Sequence, residues 1–549
     1  MLPRRLLALT GILAALASAC SSSSSSAPQP ASRPSVNDAA AQAVDRLTIA
    51  VPLDVGPLNI FTSNDVALNE LVYDALLAPS PYVEEPRPWL AQTVTAVDPS
   101  TWELALRSDV TWHDGRPFTA EDVRFTMEYF KTAPSGTFTH HVSEVPAIET
   151  VEVLASDRLR LRCAFACPDL ARITLSFIPI LPAHVWKDIA EPTKFTGLPV
   201  GTGPYRLSAY DATSGYRFVA NESYFGGRPL VGELVMPVIK DPSATFTALR
   251  TGEIDAAARP VAPELLGDFS RRGGISVAKT APLSFLEMRL NYQRAPLDVP
   301  EFRRALSLAL DRKELLGTIL LGQGRAATKG YPHPDSPWTS PKLSTPFDLR
   351  QAQSMLDALG WEDGDGDGLR ELPDGRPLSF TVKVNGAEPT HVRAAEFVAE
   401  DLRAAGVGLQ VVTLDAGAVS GLFKSRDFDF AIATIGAHGV ADPTQFIMSH
   451  RSGYLWDAPE IPYPEWDSLF EEWKAATTLA ARTPVQFRMQ ELFNRQPTSI
   501  PLVYPDENWA FRPEAYDGWV EARSFGIVHK WSFLPAGIGR RVGAIVQEF

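Results

Sequence analysis

Short apolar runs rich in β-branched residues alternate along this chain with longer stretches whose apolar positions recur at helical spacing. Leu47-Thr48-Ile49-Ala50-Val51 is a strand-like run closed by Pro52, and Leu68 to Leu77 has the helical period. Thr101 to Leu106 alternates as a strand, and Asp114-Gly115 supplies a turn behind it. Thr119 and Asp122 have capping-box spacing, with Thr119 placed to accept from the backbone N–H of Asp122, and Val123, Phe125, Met127 and Phe130 continue a helix. Thr251 to Asp255 reads as a helix end turning into a strand. Pro300 to Leu321 and His391 to Ala405 are amphipathic, the second running into Gly406, with Gly406 to Val412 as the next strand. Ser284 to Asn291 and Ile500 to Tyr504 are also strand-like. The alternation predicts an α/β protein with two lobes.

Length supports the second lobe, because 549 residues exceed what one hydrophobic core sustains. The formal charge of −14 speaks against nucleic acid, which needs a basic stripe. The N-terminus reads as an export signal over residues 1–20: basic Arg4 and Arg5, an apolar stretch Leu6 to Leu16 too short to span a bilayer, then Ala17, Ser18 and Ala19 before Cys20. The ending Leu16-Ala17-Ser18-Ala19-Cys20 resembles the bacterial lipobox, which implies a diacylated Cys20 and attachment to a membrane. Residues 21–45, opening on the serine run Ser21 to Ser26, read as a flexible tether.

Two cysteines remain, Cys163 and Cys167, and in an oxidising compartment a small-loop disulfide is the favoured reading over free thiols or a metal site. Asp363, Asp365 and Asp367 with Gly368 have the spacing of the start of an EF-hand loop, but position 12 is Asp374 in place of glutamate and no flanking helices follow. Both a structural Ca²⁺ site and a solvated turn fit that pattern, and no cofactor is required. No Gly-x-Ser-x-Gly or His-Glu-x-x-His motif is present, the nine histidines are scattered, and His113 has no nucleophile beside it, so an exported hydrolase is a minor alternative.

The run TWELALRSDVTWHDGRPFTAEDVRFTMEYF resembles the signature region of the family 5 extracellular solute-binding proteins. LPVGTGPYRL, NESYFGGRP, LRTGEIDAA, FRRALSLALDRKELLGTILLGQGRAA, ALGWEDGDGDG and AARTPVQFRMQELFNRQPTSIPLVY are similar to family segments in the same order. The resemblance implies a two-lobed, periplasmic-binding-protein-like fold of class II type, with a discontinuous lobe I (46–285 and 500–549), a lobe II (286–499), a hinge and an interlobe ligand cleft. It implies a monomeric receptor, not an enzyme, that captures a peptide or other small-molecule ligand and delivers it to the transmembrane permease of an ABC importer. A tethered receptor that signals without transport is a further alternative.

Cleft-lining aromatics are expected among Phe61, Tyr73, Trp456, Tyr504 and Trp509, and polar contacts among Asn64 and Asp65 on lobe I and His438 and Asp442 on lobe II. In peptide-binding family members a carboxylate ahead of an Asp/Glu-Pro pair meets the peptide's ammonium. In the corresponding stretch here, Gly436 to Pro443, the residue four before Pro443 is Gly439. That departure points toward a blocked, uncharged or non-peptide ligand such as an oligosaccharide, unless Glu287, Asp65 or Asp442 supplies the charge.

Overall fold

The structure is a computed structural model that describes residues 42–63, 65–78, 85–132, 147–271, 274–280, 284–334, 336, 338–436, 446–447, 450–452, 463–520 and 526–535. In chain order, β1 (Val44–Ala50) is followed by the short pair β2 (Leu77–Ala78) and β3 (Arg87–Pro88). An antiparallel sheet of β4 (Ala91–Asp98), β5 (Thr101–Leu106), β6 (Ile148–Ala155) and β7 (Arg158–Cys163) comes next. Then come β8 (Tyr205–Asp211), β9 (Gly215–Ala220), β10 (Val231–Met236), β11 (Ala256–Pro260) and β12 (Ser276–Thr280). The second half holds β13 (Ser284–Leu290), β14 (Gly324–Ala326), β15 (Ser379–Asn385), β16 (Gly408–Leu414), β17 (Phe430–Gly436) and β18 (Ser499–Pro505), and β19 (Glu507–Phe511) ends the series.

Two large mixed sheets organise these strands. The first runs β12-β19-β11-β1-β10-β9-β8, and the second β14-β18-β13-β17-β15-β16. β1 lies parallel to β10 and β11, and β15 parallel to β16 and β17. β13 and β18 are buried along almost their whole length, which is why they read as continuous apolar runs. β7 instead alternates, with Leu159, Leu161 and Cys163 inward.

Among the described residues the chain crosses between these two large sheets twice, between Thr280 and Ser284 and again at Asp506. This moves the expected boundaries: Glu287 pairs with Pro501 and Ala433, so β13 and β18 belong wholly to the second sheet, and 284–285 and 500–505 leave lobe I. Val44 and Asp45 join β1 instead of the tether. The cores divide the same way. One body packs around Ile49, Trp112, Phe218 and Phe533, the other around Phe302, Val382, Trp466 and Leu502.

Two local expectations change. The helix expected over Leu68 to Leu77 spans Val66–Val72 and stops where Tyr73 turns extended. Pro300 to Leu321 is two helices, Pro300–Leu308 and Arg312–Leu320, because Asp311 caps the second through the N–H groups of Lys313 and Glu314 while its own N–H donates to Asp401. The capping box forms as expected: the Asp122 N–H donates to the Thr119 carbonyl at 3.1 Å, and the Asp122 carboxylate accepts in return from the Thr119 N–H at 3.0 Å and also from the Ala183 N–H at 3.0 Å.

A buried polar hub ties the C-terminal segment to the first body. The fully buried Asp74 carboxylate accepts from Trp89 Nε1 (2.7 Å), Thr202 Oγ1 (3.0 Å), the Tyr224 hydroxyl (3.1 Å) and Lys530 Nζ (3.2 Å). The Lys530 ammonium also lies 5.0 Å from the Trp89 ring centre. Glu70, one turn earlier, is pushed up to about 7 by burial, with Lys530 opposing and Asp74 adding to the rise.

Candidate functional site

In open α/β sheets the loops beyond the carboxyl ends of parallel strands form the ligand crevice. The two bodies bring such ends together. The Glu264 carboxylate, beyond β11, lies 2.6 Å from Arg393 on the helix Pro389–Ala404 that follows β15. Arg259, at the end of β11, feels the charge of Glu388 at the start of that helix, and burial holds its guanidinium below the ordinary value. Arg259 also donates to the Lys240 carbonyl at 2.9 Å.

Other groups on these loops are already oriented. Asp54, beyond β1, accepts from Gly56 N–H (2.9 Å) and from the hydroxyls of Tyr210 (2.9 Å) and Tyr216 (3.1 Å). Burial resists its ionisation, but these donors outweigh it and lower its pKa. His391 Nε2 sits 2.8 Å from Thr434 Oγ1 near the end of β17, and burial pushes its imidazole down to about 4, so it is neutral at pH 7. Carboxylates, guanidinium groups and a neutral imidazole at these strand and helix ends suit charge pairing and hydrogen bonding to a bound solute.

The expected aromatic lining is placed differently. Phe61 packs against Tyr129, Phe130 and Trp186 in the first core. Tyr73 is buried in the same core, and its phenol is pushed up by that burial. Tyr504 lies in the second body's core, edge-on to His333 and donating to the Gly330 carbonyl at 3.1 Å. Trp509 is packed so closely on Gly526 that a Cβ there would lie 2.3 Å from its ring. All four rings are buried within the cores of the two bodies. Asp65 caps the helix Val66–Val72 by accepting from Leu68 N–H at 2.9 Å, and burial raises its pKa. Glu287 is buried beside Arg289, 2.6 Å away. Asn64, His438, Gly439, Asp442, Trp456 and Cys20 lie outside the described residues.

Cys163 and Cys167 are joined in a disulfide, with Cα atoms 6.5 Å apart. In the acidic turn, Asp363, Asp365, Asp367 and Glu371 place carboxylate oxygens within 4.8 Å of one another. Asp374, expected among them, pairs instead with Arg376 at 2.8 Å. Backbone N–H groups already occupy these carboxylates: Gly366 and Gly368 donate to Asp363, Asp367 to Asp365, Leu369 to Asp367 and Gly364 to Glu371.

Sequence reasoning missed a cavity of about 50 Å³ beside β13, lined by Glu287, Arg289, Asn291, Arg426 and His450 among others. It has room for one or two waters, far below the several hundred Å³ of a ligand pocket. It also missed the Arg259, Glu264, His391 and Arg393 group, which no local motif marks.

Comparison with known proteins agrees with this architecture. A sequence model of bacterial extracellular solute-binding proteins, family 5, matches residues 85–456. The nickel-binding periplasmic protein of Escherichia coli (strain K12) is 28% identical over 431 residues, covering 75% of this chain and 79% of that protein. The oligopeptide-binding protein AppA of Bacillus subtilis, solved with a nonapeptide, superposes with a TM-score of 0.78 at 20% identity, over 90% of this chain and 100% of that one. A periplasmic oligopeptide-binding protein of Thermotoga maritima, solved with mannohexaose, gives 0.74 at 22% identity, over 87% and 93%. A family match over most of the chain, on a fold of two α/β bodies joined by two crossings, leads to one conclusion: the chain belongs to the bacterial extracellular solute-binding proteins of family 5.

Proposed function

We propose that this protein is the membrane-tethered receptor of an ABC importer, anchored through Cys20, which captures a peptide-like solute between its two bodies and presents it to a permease. The observation that carries this reading is the family match on a fold whose two bodies, among the described residues, share no sheet and only two chain crossings. Such a connection allows hinge closure, and a ligand touching both bodies stabilises the closed form by its differential affinity. No helix among the described residues is long and apolar enough to cross a membrane.

A second reading, a non-peptide ligand, is favoured by Gly439, which brings no carboxylate to meet a peptide ammonium. Burying an unpaired ammonium costs several kcal/mol. Mass spectrometry of small molecules released from the purified protein identifies the ligand class. Calorimetric titration with matched di- to pentapeptides, free and N-acetylated, then separates the readings. A preference of about tenfold or more for the free amine, roughly 1.4 kcal/mol, establishes the peptide reading and a substitute carboxylate. Equal or better binding of the acetylated series, or binding of oligosaccharides alone, establishes the second. Turnover of any of these compounds would overturn both.

A further inference from the structure

Among the described residues, the apolar cores divide cleanly at the two crossings, with one exception. Phe165, from the turn after β7, packs against the second body's core of Trp466, Phe470 and Trp473. Around it lies a set of polar contacts between the bodies. Arg482, on the helix Leu479–Arg495, has no exposed surface, and its guanidinium lies 3.7 Å from the centre of the Trp473 ring. From there its Nη1 reaches the Asp169 carboxylate at 2.5 Å and its Nη2 donates to the Ala166 carbonyl at 2.6 Å. The Lys474 ammonium sits 5.7 Å from the Phe165 ring centre, and the Arg172 guanidinium 5.1 Å from that of Trp338.

The turn offering these acceptors is fixed before the second body meets it. The Cys163–Cys167 disulfide closes it, and the N–H groups of Cys163, Ala164 and Cys167 donate to the carbonyls of Ser100, Ala147 and Pro99 at 2.8, 2.9 and 2.8 Å. Ala166 and Asp169 therefore need little ordering on contact.

We propose that Arg482 and the disulfide-closed turn form a latch between the two bodies, which gives the ligand-free protein a populated closed state. The proposal rests on the receptor reading and adds a residue that sets affinity without needing to touch the ligand. In the open state that this proposal requires, the contact is broken and Arg482 and Asp169 return to water. In the closed state the guanidinium is desolvated, and the carboxylate, the carbonyl and the indole face together compensate. The Glu264–Arg393 pair also bridges the bodies, but both side chains are about two-fifths exposed, and screening leaves it little weight. Removing Arg482 or Asp169 leaves a buried group unmatched only when the bodies meet, so the loss falls on closure. Any ligand that needs the closed form weakens by the same factor.

The test is small-angle X-ray scattering of the whole mature chain, stripped of ligand by unfolding and refolding, for wild type, Arg482→Met, Asp169→Asn and Phe165→Ser. Circular dichroism confirms folding, and Phe165→Ser, on a partly exposed turn, leaves both bodies' own cores intact. The expected result is a compact wild type and a common larger radius of gyration for the variants, with the closed-to-open ratio lowered on the order of ten- to a hundredfold. Hydrogen exchange should rise in both 163–172 and 473–485. Folded variants that scatter as wild type does, or a wild type already expanded, would overturn the latch. The readout contains no ligand, so an error about ligand class leaves it unaffected.

Discussion

Replacing Asp74 with alanine should be among the most damaging single changes to the first body. The carboxylate is fully buried and accepts from four donors, one of them the ammonium of Lys530, 456 residues away. Breaking a buried charge pair by removing one partner costs about 3–5 kcal/mol. The three neutral donors would each add about 1–3 kcal/mol if they stayed dry. They share one site and a vacated volume that water can enter, so the terms do not add. A loss of about 5 kcal/mol is expected, against a total stability of roughly 5–15 kcal/mol. For a body of this size that corresponds to a fall of about 10–15 °C in melting temperature. Urea unfolding followed by tryptophan fluorescence is the natural assay, since Trp89 both donates to Asp74 and lies against Lys530. A double-mutant cycle with Asp74→Asn and Lys530→Met should give a coupling of at least about 1.5 kcal/mol. If Asp74→Ala loses less than about 1 kcal/mol, or the cycle shows no coupling, the hub is not what holds the C-terminal segment down.

Other outcomes follow from the same structure. Glu70 has a folded pKa of about 7, above its ordinary 4.5, so the folded state holds a proton that the unfolded state has lost between those values. Its stabilising contribution is complete below about 4.5 and falls away as pH rises through 7; Glu70→Gln should therefore gain more in melting temperature at pH 8 than at pH 5, and an equal shift at both would refute the assignment. The acidic turn is satisfied by its own backbone, so melts in chelator and in millimolar Ca²⁺ should superimpose; a Ca²⁺-dependent rise abolished by Asp365→Ala would make it a cation site instead. Labelled fatty acid should enter the protein through Cys20, and Cys20→Ala should release it from membranes; absence of label in a lipoprotein-processing host would leave only a secretory signal.

Much of the fold was legible because it depends on short-range pattern. The apolar runs that became β13 and β18 and the amphipathic period over Pro389–Ala404 announce themselves in the sequence. What was not legible depended on partners distant in the chain. The break at Asp311 is fixed partly by Asp401, 90 residues on, so a continuous helical period concealed two helices. The crevice was harder still, since Arg259 and Glu264 come from one body and His391 and Arg393 from a helix of the other, and together they form no motif. The aromatic candidates could not be sorted from the sequence for a further reason: a phenyl or indole ring has the same apolar face whether it meets a ligand or a core. Only packing tells them apart, as for Phe61 against Trp186 and Tyr504 against His333. Arg482 gave no hint either, its acceptor at Ala166 being 316 residues away.

The position of β19 between β11 and β12 bears on how the chain is made. Both neighbours are synthesised some 250 residues before the strand that joins them. Until it arrives the first sheet holds a strand-wide gap, about 9.5 Å across at ordinary strand spacing, bordered by two unpaired edges. The second body has no such wait, since its strands all lie between Ser284 and Pro505. A chain emerging N-terminus first would thus complete its second body before its first, and the first-made half would remain open to chaperones and proteases until β19 was released. The interrupted order of strands acts as a timer, keeping that half unfinished until β19 has been made.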